Sequence, residues 1–265
     1  MKDLKGKTAV ITGGATGIGK AVAFEFAKDS MNIVIASTNQ ERLAETAKEI
    51  EAAGAPKVLP IVCDVSDRSS VKSLHDQVAK TFGPVDVLVL NAGVTTSGEF
   101  ARHRERDWDW VYDVVLGGVV NFVQLYYPEM YERKSGHIVI TGSQAGMVPN
   151  WFTLHGPYTS AKSAVMALGA ALQAESQEHG VGITNVIVAG TVTDIMKSER
   201  SRPEKYGDAL VSEVKKREAR RIPASDTAQM IVEGIKENKL WVATHPELKD
   251  LTKGYFDHIL AAYDR

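Results

Sequence analysis

Two kinds of segment alternate along the chain, and their order predicts an α/β fold. Short apolar runs bounded by glycine or charged residues are typical of buried strands. Longer segments, in which apolar positions recur every three or four residues, are typical of helices. The predicted strands are residues 8–11, 32–36, 58–62, 85–90, 137–141, 183–188 and 240–243. Helices are predicted directly after Gly19, at residues 40–53, 69–81, 104–132, 157–179 and 226–237, and from Pro246 onward.

This alternation predicts parallel βαβ units with right-handed crossovers. A fully apolar strand such as residues 87–90 indicates a sheet that is covered on both faces. The helical pattern over residues 104–132 is expected to break near Gly117 and Gly118. We therefore predict a doubly wound parallel sheet, a Rossmann-like fold, in a single domain that spans residues 1–265.

Composition and charge agree with one globular enzyme domain. The chain has 265 residues, a net charge of −2 and 24% charged residues, so it carries no global basic field for nucleic acid. Residues 215–221 are locally basic, but Glu218 interrupts them and no aromatic residue interleaves, which predicts a solvated helix face. The single cysteine, Cys63, excludes an internal disulfide and is expected to be a buried thiol in a reducing compartment.

No apolar stretch approaches the ~18 residues of a membrane span. The first residues run into a strand pattern without an apolar leader segment. We expect a cytoplasmic protein with a small-molecule substrate, without a nucleic-acid or membrane partner and without a metal site.

The segment from Thr12 to Gly19, Thr-Gly-Gly-Ala-Thr-Gly-Ile-Gly, joins the first strand to a helix. Strand, glycine turn and helix follow in the order that a phosphate-binding loop requires. The alternative is a plain tight turn.

A second motif is Tyr158-Thr-Ser-Ala-Lys162. Residues four apart on a helix share a face, so the lysine ammonium is expected near the tyrosine hydroxyl. The positive charge would lower the hydroxyl pKa from about 10 toward neutrality. By itself the pair also fits a cation–π or solvated pair on an exposed helix.

These motifs, together with Asn91-Ala-Gly93 and Ser143, resemble the short-chain dehydrogenase/reductase family in order and spacing. The resemblance covers residues 6 to about 195. It implies a nicotinamide cofactor and reversible oxidoreduction between an alcohol and a carbonyl. It also implies that residues 1–193 form the cofactor and catalytic core, residues 194–224 a substrate-binding loop region, and residues 225–265 a C-terminal helix, strand and helix.

The family's catalytic residues match Ser143, which would donate to the substrate oxygen, Tyr158, the proton donor or acceptor, and Lys162, which would lower the pKa of Tyr158 and bind the nicotinamide ribose. The resemblance implies these cofactor-binding residues: Gly13, Thr16, Gly17, Ile18, Gly19, Ser37, Thr38, Asp64, Val65, Asn91, Ala92, Gly93, Tyr158, Lys162, Gly190, Val192 and Thr193. For Asp64, acceptance from adenine stands beside a helix N-cap or an Asx turn before Arg68.

Two positions depart from the family pattern. Ala189 replaces a proline, which should loosen the backbone there without removing a donor. Val115 replaces an asparagine that is the family's fourth catalytic member and holds a relay water. Asn121 should face elsewhere on the helix and is a poor substitute, and we expect a water path near the paired glycines instead.

The cofactor preference depends on Ser37, where NAD-dependent members carry an aspartate that binds the adenosine ribose. Without that carboxylate nothing repels a 2′-phosphate, although neither Thr16 nor Thr38 supplies a basic partner. We predict NADP, with NAD as the alternative.

An apolar wall over the substrate is predicted from Gln144, Met147, Trp151, Phe152, Ile195 and Met196. The stretches at residues 156–162, 198–207 and 241–246 are loosely similar to Cα-dehydrogenases of lignin aryl-ether breakdown, which implies a hydrophobic or aryl secondary alcohol or its ketone. Trp151 and Phe152 fit a subunit interface as the alternative.

Two other functions stay open. A dinucleotide-binding regulatory protein, or a catalytically weakened enzyme, is suggested by Val115 alone. A sugar-nucleotide epimerase or dehydratase would share the tyrosine–lysine pair, but the chain after Thr193 is short for its substrate domain. Apolar residues on several faces of the helices at 104–132 and 157–179 predict a homodimer or homotetramer.

Overall fold

The computed structural model describes residues 1–208 and 220–264. Seven parallel strands form one sheet in the order β3-β2-β1-β4-β5-β6-β7. They are β1 Thr8–Thr12, β2 Asn32–Ser37, β3 Lys57–Val62, β4 Val87–Leu90, β5 Gly136–Thr141, β6 Val181–Ile187 and β7 Trp241–Ala243. The doubly wound, Rossmann-like single domain predicted from the sequence is confirmed.

Helices cover both faces of the sheet. They are α1 Gly17–Lys28, α2 Gln40–Ala52, α3 Arg68–Phe82, α4 Glu105–Tyr112, α5 Gly118–Glu132, α6 Gln144–Met147, α7 Gly156–Ser176, α8 Ala224–Lys236 and α9 Lys249–Leu260. Alternate residues of each central strand enter two separate cores: Val10 packs with α3, α5 and α7, whereas Ala9 and Ile11 pack with α1, α2 and α8. Every residue of β4 is buried, as its apolar sequence predicts.

The edge strand β3 is more exposed to solvent than the central strand β4. It contains Pro60, which cannot donate to a ladder, and Val62 is 54% exposed. Both features suit a strand at the end of the sheet, which pairs with β2 on one side.

The predicted long helix over residues 104–132 is interrupted at the paired glycines, as expected. A π-helical turn, Asp113–Gly117, separates α4 from α5. Its C-cap residue Gly118 is buried, and a Cβ there would lie 2.7 Å from Cγ2 of Val65. Gly117 is half-buried, and a Cβ there would meet only the Tyr112 carbonyl oxygen, at 3.5 Å. The expected water path near these glycines stays a prediction.

In two other regions the structure adds detail that the sequence did not predict. The end of the predicted helix 157–179 is a 3-10 turn, Gln177–His179, which ends at Gly180 with φ 66°. Residues 194–208, expected to lack strands, form two 3-10 segments, Ile195–Ser201 and Glu204–Tyr206. Most of the predicted basic face at 215–221 lies outside the described residues, and Arg220 and Arg221 are exposed.

Candidate active site

The glycine segment forms a tight loop between β1 and α1. Gly13 and Gly17 have φ of 65° and 55°, a conformation that favours glycine. A Cβ at Gly19 would lie 2.3 Å from the Gly13 carbonyl oxygen, so only glycine permits this turn. The Thr16 side chain makes no capping hydrogen bond with the described residues, which leaves the first N–H groups of α1 available for an anion. This cradle fits the pyrophosphate of a dinucleotide.

The ends of β1 and β4 are joined by hydrogen bonds that hold this loop. The Thr12 hydroxyl accepts from the backbone N–H groups of Asn91, at 2.9 Å, and Ala92, at 3.0 Å. Asn91 Nδ2 donates to the carbonyls of Thr12, at 3.1 Å, and Gly13, at 3.4 Å. Asn91 therefore serves as a structural clamp on the loop, and the role of Thr12 was not predicted.

At the end of β2 there is no carboxylate. Ser37 is half-buried and its Oγ accepts from the Asn39 N–H at 3.4 Å, while Thr38 is exposed. Asn39 caps α2 by accepting from the Arg42 N–H at 2.8 Å. This cap places Arg42, which is half-buried, in the first turn of α2 after Ser37 and Thr38.

Asp64 forms the Asx turn that was one of its alternatives. Its Oδ1 accepts from the N–H of Ser66, at 2.9 Å, and from the Ser66 hydroxyl, at 2.7 Å. The N-cap of α3 is instead Asp67. Val65 is buried, and its carbonyl accepts from Asn121 Nδ2 at 2.9 Å, so Asn121 faces this loop and not Lys162.

The segment after β6 lies against the glycine loop. The Thr193 methyl carbon lies 3.3 Å from the position that a Cβ of Gly17 would take. The carbonyl of Gly190 accepts from the Ile222 N–H, and the Val192 N–H donates to the Ile222 carbonyl, both at 2.9 Å. The structure thus brings the predicted Gly190, Val192 and Thr193 to the same edge as the phosphate cradle.

Ala189 donates through its N–H to the Thr244 hydroxyl at 3.2 Å, a bond that a proline could not form. The replacement of the family's proline thus adds a donor that joins the backbone to the residue after β7. The expected loosening of the backbone stays a prediction.

Ser143, Tyr158 and Lys162 lie together beyond the carboxyl end of β5. All three are buried. Ser143 caps α6, accepting from the Ala145 N–H at 3.1 Å, and forms a side-chain hydrogen bond with Tyr158. Tyr158 and Lys162 occupy successive turns of α7, with Lys162 Nζ 5.8 Å from the tyrosine ring centroid. The exposed, solvated pair is excluded, because both residues are buried, whereas the cation–π contact that was the other alternative is present.

Burial dominates the electrostatics of this group. It raises the pKa of Tyr158 to about 12, against the lowering effect of the Ser143 hydrogen bond. It also lowers the pKa of Lys162 to about 8. The ammonium donates to the Thr141 carbonyl at 2.5 Å. In the protein alone, desolvation of the phenolate therefore raises the pKa of Tyr158 instead of the expected fall, and Lys162 is not among the causes of the shift.

Val115 is 1% exposed and lies in the π-helical turn beside the lysine. A Cβ at Gly93 would lie 3.8 Å from Lys162 Nζ and 4.0 Å from Val115 Cγ2. An apolar side chain thus fills space near the ammonium.

Phe152 is an aromatic residue next to Tyr158. Its ring centroid lies 6.1 Å from that of Tyr158, and it stacks on His155 at 4.3 Å with an interplanar angle of 16°. His155 is buried and its Nδ1 lies 2.9 Å from the Thr96 carbonyl and 3.1 Å from the Thr95 hydroxyl. Trp151 also stacks with Phe152, at a centroid distance of 6.2 Å. Sequence reasoning missed His155, whose position just before the helix of Tyr158 was the available signal.

Gln144 and Met147 have different neighbours from those predicted. Gln144 Nε2 donates to the Thr252 hydroxyl of α9 at 2.9 Å. Met147 lines a surface groove between α7 and α9, with Met166 and Phe256. Their described contacts are with the C-terminal helix, and we do not carry these two residues into the substrate wall.

Ile195 and Met196 begin the first 3-10 segment after Thr193. Ile195 packs against the core cluster that contains Tyr158, whereas Met196 is 48% exposed. Within the described residues, no group of three histidine, cysteine or acidic side chains is placed to hold a metal ion. No helix of the described part of the chain is long and apolar enough to cross a membrane.

Comparison with known proteins decides the family. The family model described as short chain dehydrogenase matches residues 7–204. The chain belongs to the short-chain dehydrogenase/reductase family. It is 29% identical to a C alpha-dehydrogenase of Sphingobium sp., over 98% of this chain and 87% of that protein. It is 33% identical to a 3-oxoacyl-[acyl-carrier-protein] reductase of Thermotoga maritima, over 80% of this chain and 83% of that protein.

A solved structure gives the same result. The short-chain dehydrogenase/reductase from Burkholderia phymatum, in complex with NAD, superposes with a TM-score of 0.87 at 31% identity, covering 96% of this chain and 94% of that one. The similarity to the C alpha-dehydrogenase agrees with the branch that the sequence resembles. The chain is thus an oxidoreductase of this family, whose fold binds a nicotinamide cofactor.

Replacement of Val115 by asparagine tests the apolar site beside Lys162. Val115→Asn puts an amide into a buried position, and an unsatisfied buried amide costs about 1–3 kcal/mol. We expect a lower melting temperature and no gain in kcat, measured beside Val115→Ala, which removes volume without adding a polar group. A tenfold or larger rise in kcat with unchanged melting temperature would mean that turnover in the wild type is limited by the missing relay.

Proposed function

We propose that the protein is an NAD(P)-dependent oxidoreductase that transfers a hydride between a nicotinamide cofactor and a secondary alcohol or its ketone. The observation that carries this proposal is the burial of Ser143, Tyr158 and Lys162 together at the sheet edge that also holds the glycine cradle. Ligands of open α/β sheets bind at this edge.

Each predicted cofactor residue has a distinct part in holding the dinucleotide. The N–H groups of the loop from Gly13 to Gly19, including those of Thr16, Gly17 and Ile18, suit the pyrophosphate. Ser37 and Thr38 lie where the adenosine ribose would bind, and Asp64 and Val65 where adenine would. Asn91, Ala92 and Gly93 line the floor of the crevice. Tyr158 and Lys162 would hold the nicotinamide ribose, and Gly190, Val192 and Thr193 the carboxamide.

The side chains supply the proton chemistry. The bound cofactor would supply or accept the hydride. With a pKa of about 12 in the protein alone, Tyr158 keeps its proton at neutral pH and is ready to donate it to a carbonyl oxygen in reduction. In the reverse direction Tyr158 must first lose its proton, and the phenolate oxygen then accepts the hydroxyl proton of the alcohol. Ser143 is placed to hydrogen-bond the substrate oxygen as negative charge develops.

A regulatory protein that only binds the dinucleotide is the weaker candidate. Burial of a phenol, an ammonium and a hydroxyl has an unfavourable desolvation free energy, and a protein that only binds the dinucleotide gains nothing from it. Val115 is compatible with a weakened enzyme, which measured turnover would reveal. The described C-terminal part is a helix, a strand and a helix and forms no separate domain of the kind that the epimerase alternative requires.

The substrate that fits the site best is a hydrophobic or aryl secondary alcohol, or its ketone. Phe152 next to Tyr158 offers an aromatic face, and Ile195 packs on the same cluster. Met196 and Trp151 extend this surface, and the similarity to a C alpha-dehydrogenase supports it. A subunit interface remains the alternative for Trp151. Residues 194–224 are the proposed substrate-binding region, of which 209–219 lie outside the described residues.

For the cofactor we propose NADP. The end of β2 carries hydroxyl groups in place of a carboxylate, so a 2′-phosphate meets no repulsion. Arg42 in the first turn of α2 is a nearby source of positive charge, whereas Lys20 is paired with Glu49 at 2.5 Å. The NAD complex of the Burkholderia relative keeps NAD as the alternative.

We propose a homodimer or homotetramer in the reducing cytoplasm, where the free, buried thiol of Cys63 would be stable. Helix α7 is apolar beyond its buried face, since Ala167, Ala171 and Ala174 form an exposed stripe. A helix with this pattern suits packing against a second subunit.

Turnover can be followed by the near-ultraviolet absorbance of NADH or NADPH against a panel of aryl ketones and alcohols. In this assay Tyr158→Phe should lower kcat by about 10²–10⁴-fold, because it removes only the transferable proton. Tyr126→Phe is the matched control, as it removes a buried hydroxyl that has no hydrogen-bond partner among the described residues. Folding and dinucleotide binding should be unchanged in both. If Tyr158→Phe kept more than about a tenth of the turnover, the tyrosine would not be the acid.

Ser37→Asp should shift the ratio of kcat/KM for NADPH over NADH toward NADH by about tenfold or more. The new carboxylate would accept from the ribose hydroxyls and repel a 2′-phosphate. Ser37→Asn, of the same size but uncharged, separates charge from bulk. A wild-type enzyme that already strongly prefers NADH would contradict the proposed preference.

Light scattering at micromolar concentration tests the assembly. We expect a mass of two or four times the 28.8 kDa of the chain. A mass near that of the single chain would rule out the proposed assembly.

A further inference from the structure

The segment that carries Ile195 and Met196 is fastened to α4 by a buried ion cluster. Arg202 is 3% exposed and Asp107 is 0% exposed, and Nη2 of Arg202 lies 2.6 Å from Oδ1 of Asp107. Arg104 binds the same carboxylate through Nε and Nη2, each at 3.0 Å. One carboxylate on α4 is therefore shared by two guanidinium groups, one from just before its own helix and one from the segment after β6. We call Arg104, Asp107 and Arg202 the loop anchor.

The Arg202 guanidinium also binds residues that precede and follow it in the chain. Nη1 lies 3.2 Å from a carboxylate oxygen of Glu199, and Nη2 donates to the Tyr206 carbonyl at 3.0 Å. Its carbon atom Cζ lies 5.0 Å from the ring centroid of Trp110 on α4. The Tyr206 hydroxyl adds a donation to Asp113 at 2.7 Å. A single side chain thus fixes the 3-10 segments on either side of it to one helix.

Ser198 is a second fastening, closer to the catalytic residues. It is buried, and its hydroxyl accepts from the Thr95 N–H at 3.0 Å and donates to the Ile195 carbonyl at 2.5 Å. The Thr95 hydroxyl in turn lies 3.1 Å from His155, which stacks on Phe152. The position of Ile195 is therefore tied to the aromatic face beside Tyr158.

A buried guanidinium and a buried carboxylate are costly to desolvate, and their attraction offsets that cost only when the geometry is good and every donor is satisfied. Such a cluster is not needed to keep a surface loop soluble. It is useful where a loop must hold one arrangement before a ligand arrives, since ordering the loop on binding would weaken affinity.

We propose that Arg202 is a positioning residue that holds the Ile195–Ser201 segment against α4, so that the apolar wall of the substrate site exists before the substrate binds. The identity of this wall rests on the proposed function, whereas the fastening of the segment does not.

Arg202→Met is the informative variant. It releases the segment but leaves Asp107 paired with Arg104, so no buried carboxylate is left unpaired. The unbranched methionine can still pack on Trp110. Arg200→Met is the matched control, because Arg200 lies in the Ile195–Ser201 segment, two residues before Arg202, and pairs with Asp194 at the start of that segment, at 3.2 Å. Should Arg202→Met lose the folded state, Tyr206→Phe removes the donation to Asp113 and keeps the carbonyl that Arg202 binds. It tests the fastening of the same region at its other end, with a smaller expected effect.

Two measurements on the full chain test the proposal. Hydrogen exchange of the backbone amides at 195–206, without substrate, should become about tenfold faster or more in Arg202→Met and stay within about twofold in Arg200→Met. The KM for the best ketone of the panel should rise about tenfold or more in Arg202→Met, with kcat within about threefold and dinucleotide affinity unchanged.

Unchanged exchange in Arg202→Met would overturn the fastening. Faster exchange with unchanged KM would overturn the positioning role. If both arginine variants showed the same fall in melting temperature, the same fall in kcat and the same rise in KM, Arg202 would have only a general structural role. If the wild type reduced or oxidised no member of the panel, the proposed function would fail, and the exchange result alone would decide the fastening.

Discussion

The buried ammonium of Lys162 is the constraint on which the arrangement of the site depends. At 4% exposure it needs acceptors, and the described protein supplies the Thr141 carbonyl at 2.5 Å. An ammonium has three donors, so this environment leaves capacity to bind hydroxyl groups of a ligand. The surrounding elements supply this environment: β5 ends at Thr141, α7 begins two residues before Tyr158, and a Cβ at Gly93 would lie in van der Waals contact with Nζ, at 3.8 Å.

The topology explains why these pieces meet. In the order β3-β2-β1-β4-β5-β6-β7 the strand order reverses between β1 and β4, and the crevice at that switch point lies beyond the carboxyl ends of both strands. The hydrogen bonds between Thr12 and Asn91 hold these two strand ends together beneath the crevice. The glycine loop therefore lies beside the end of β4, and Ser143, Tyr158 and Lys162 lie beyond the neighbouring strand β5, although the loop and these residues are more than 120 residues apart in the chain.

Features with a local signal could be predicted from the sequence. Strand and helix order, the glycine cradle and the pairing of Tyr158 with Lys162 each depend on a spacing of a few residues. Contacts between distant positions had no such signal. Nothing in the pattern distinguishes Asp107 as the partner of Arg202, 95 residues away, or Thr244 as the acceptor for Ala189. The sequence predicted a break at the paired glycines but not the π-helical turn at Asp113–Gly117, because no residue composition distinguishes such a turn. The pKa of Tyr158 was expected to fall because charge can be read from a motif, whereas depth of burial cannot.

At position 115 the backbone lies beside the site, but the side chain supplies no polar group. The π-helical turn keeps position 115 buried beside Gly93 and Lys162, but the side chain that it presents there is apolar. Gly118 is packed against Val65, whereas Gly117 is half-buried, so a water path on this side would have to pass Gly117. Tyr158 is 9% exposed, and the Val115 side chain offers no hydrogen bond to a relay water. The proton of Tyr158 must then be renewed either past Gly117 or through the substrate cleft. In the second case the apolar side chains proposed to admit a hydrophobic alcohol would also govern how readily the tyrosine regains its proton.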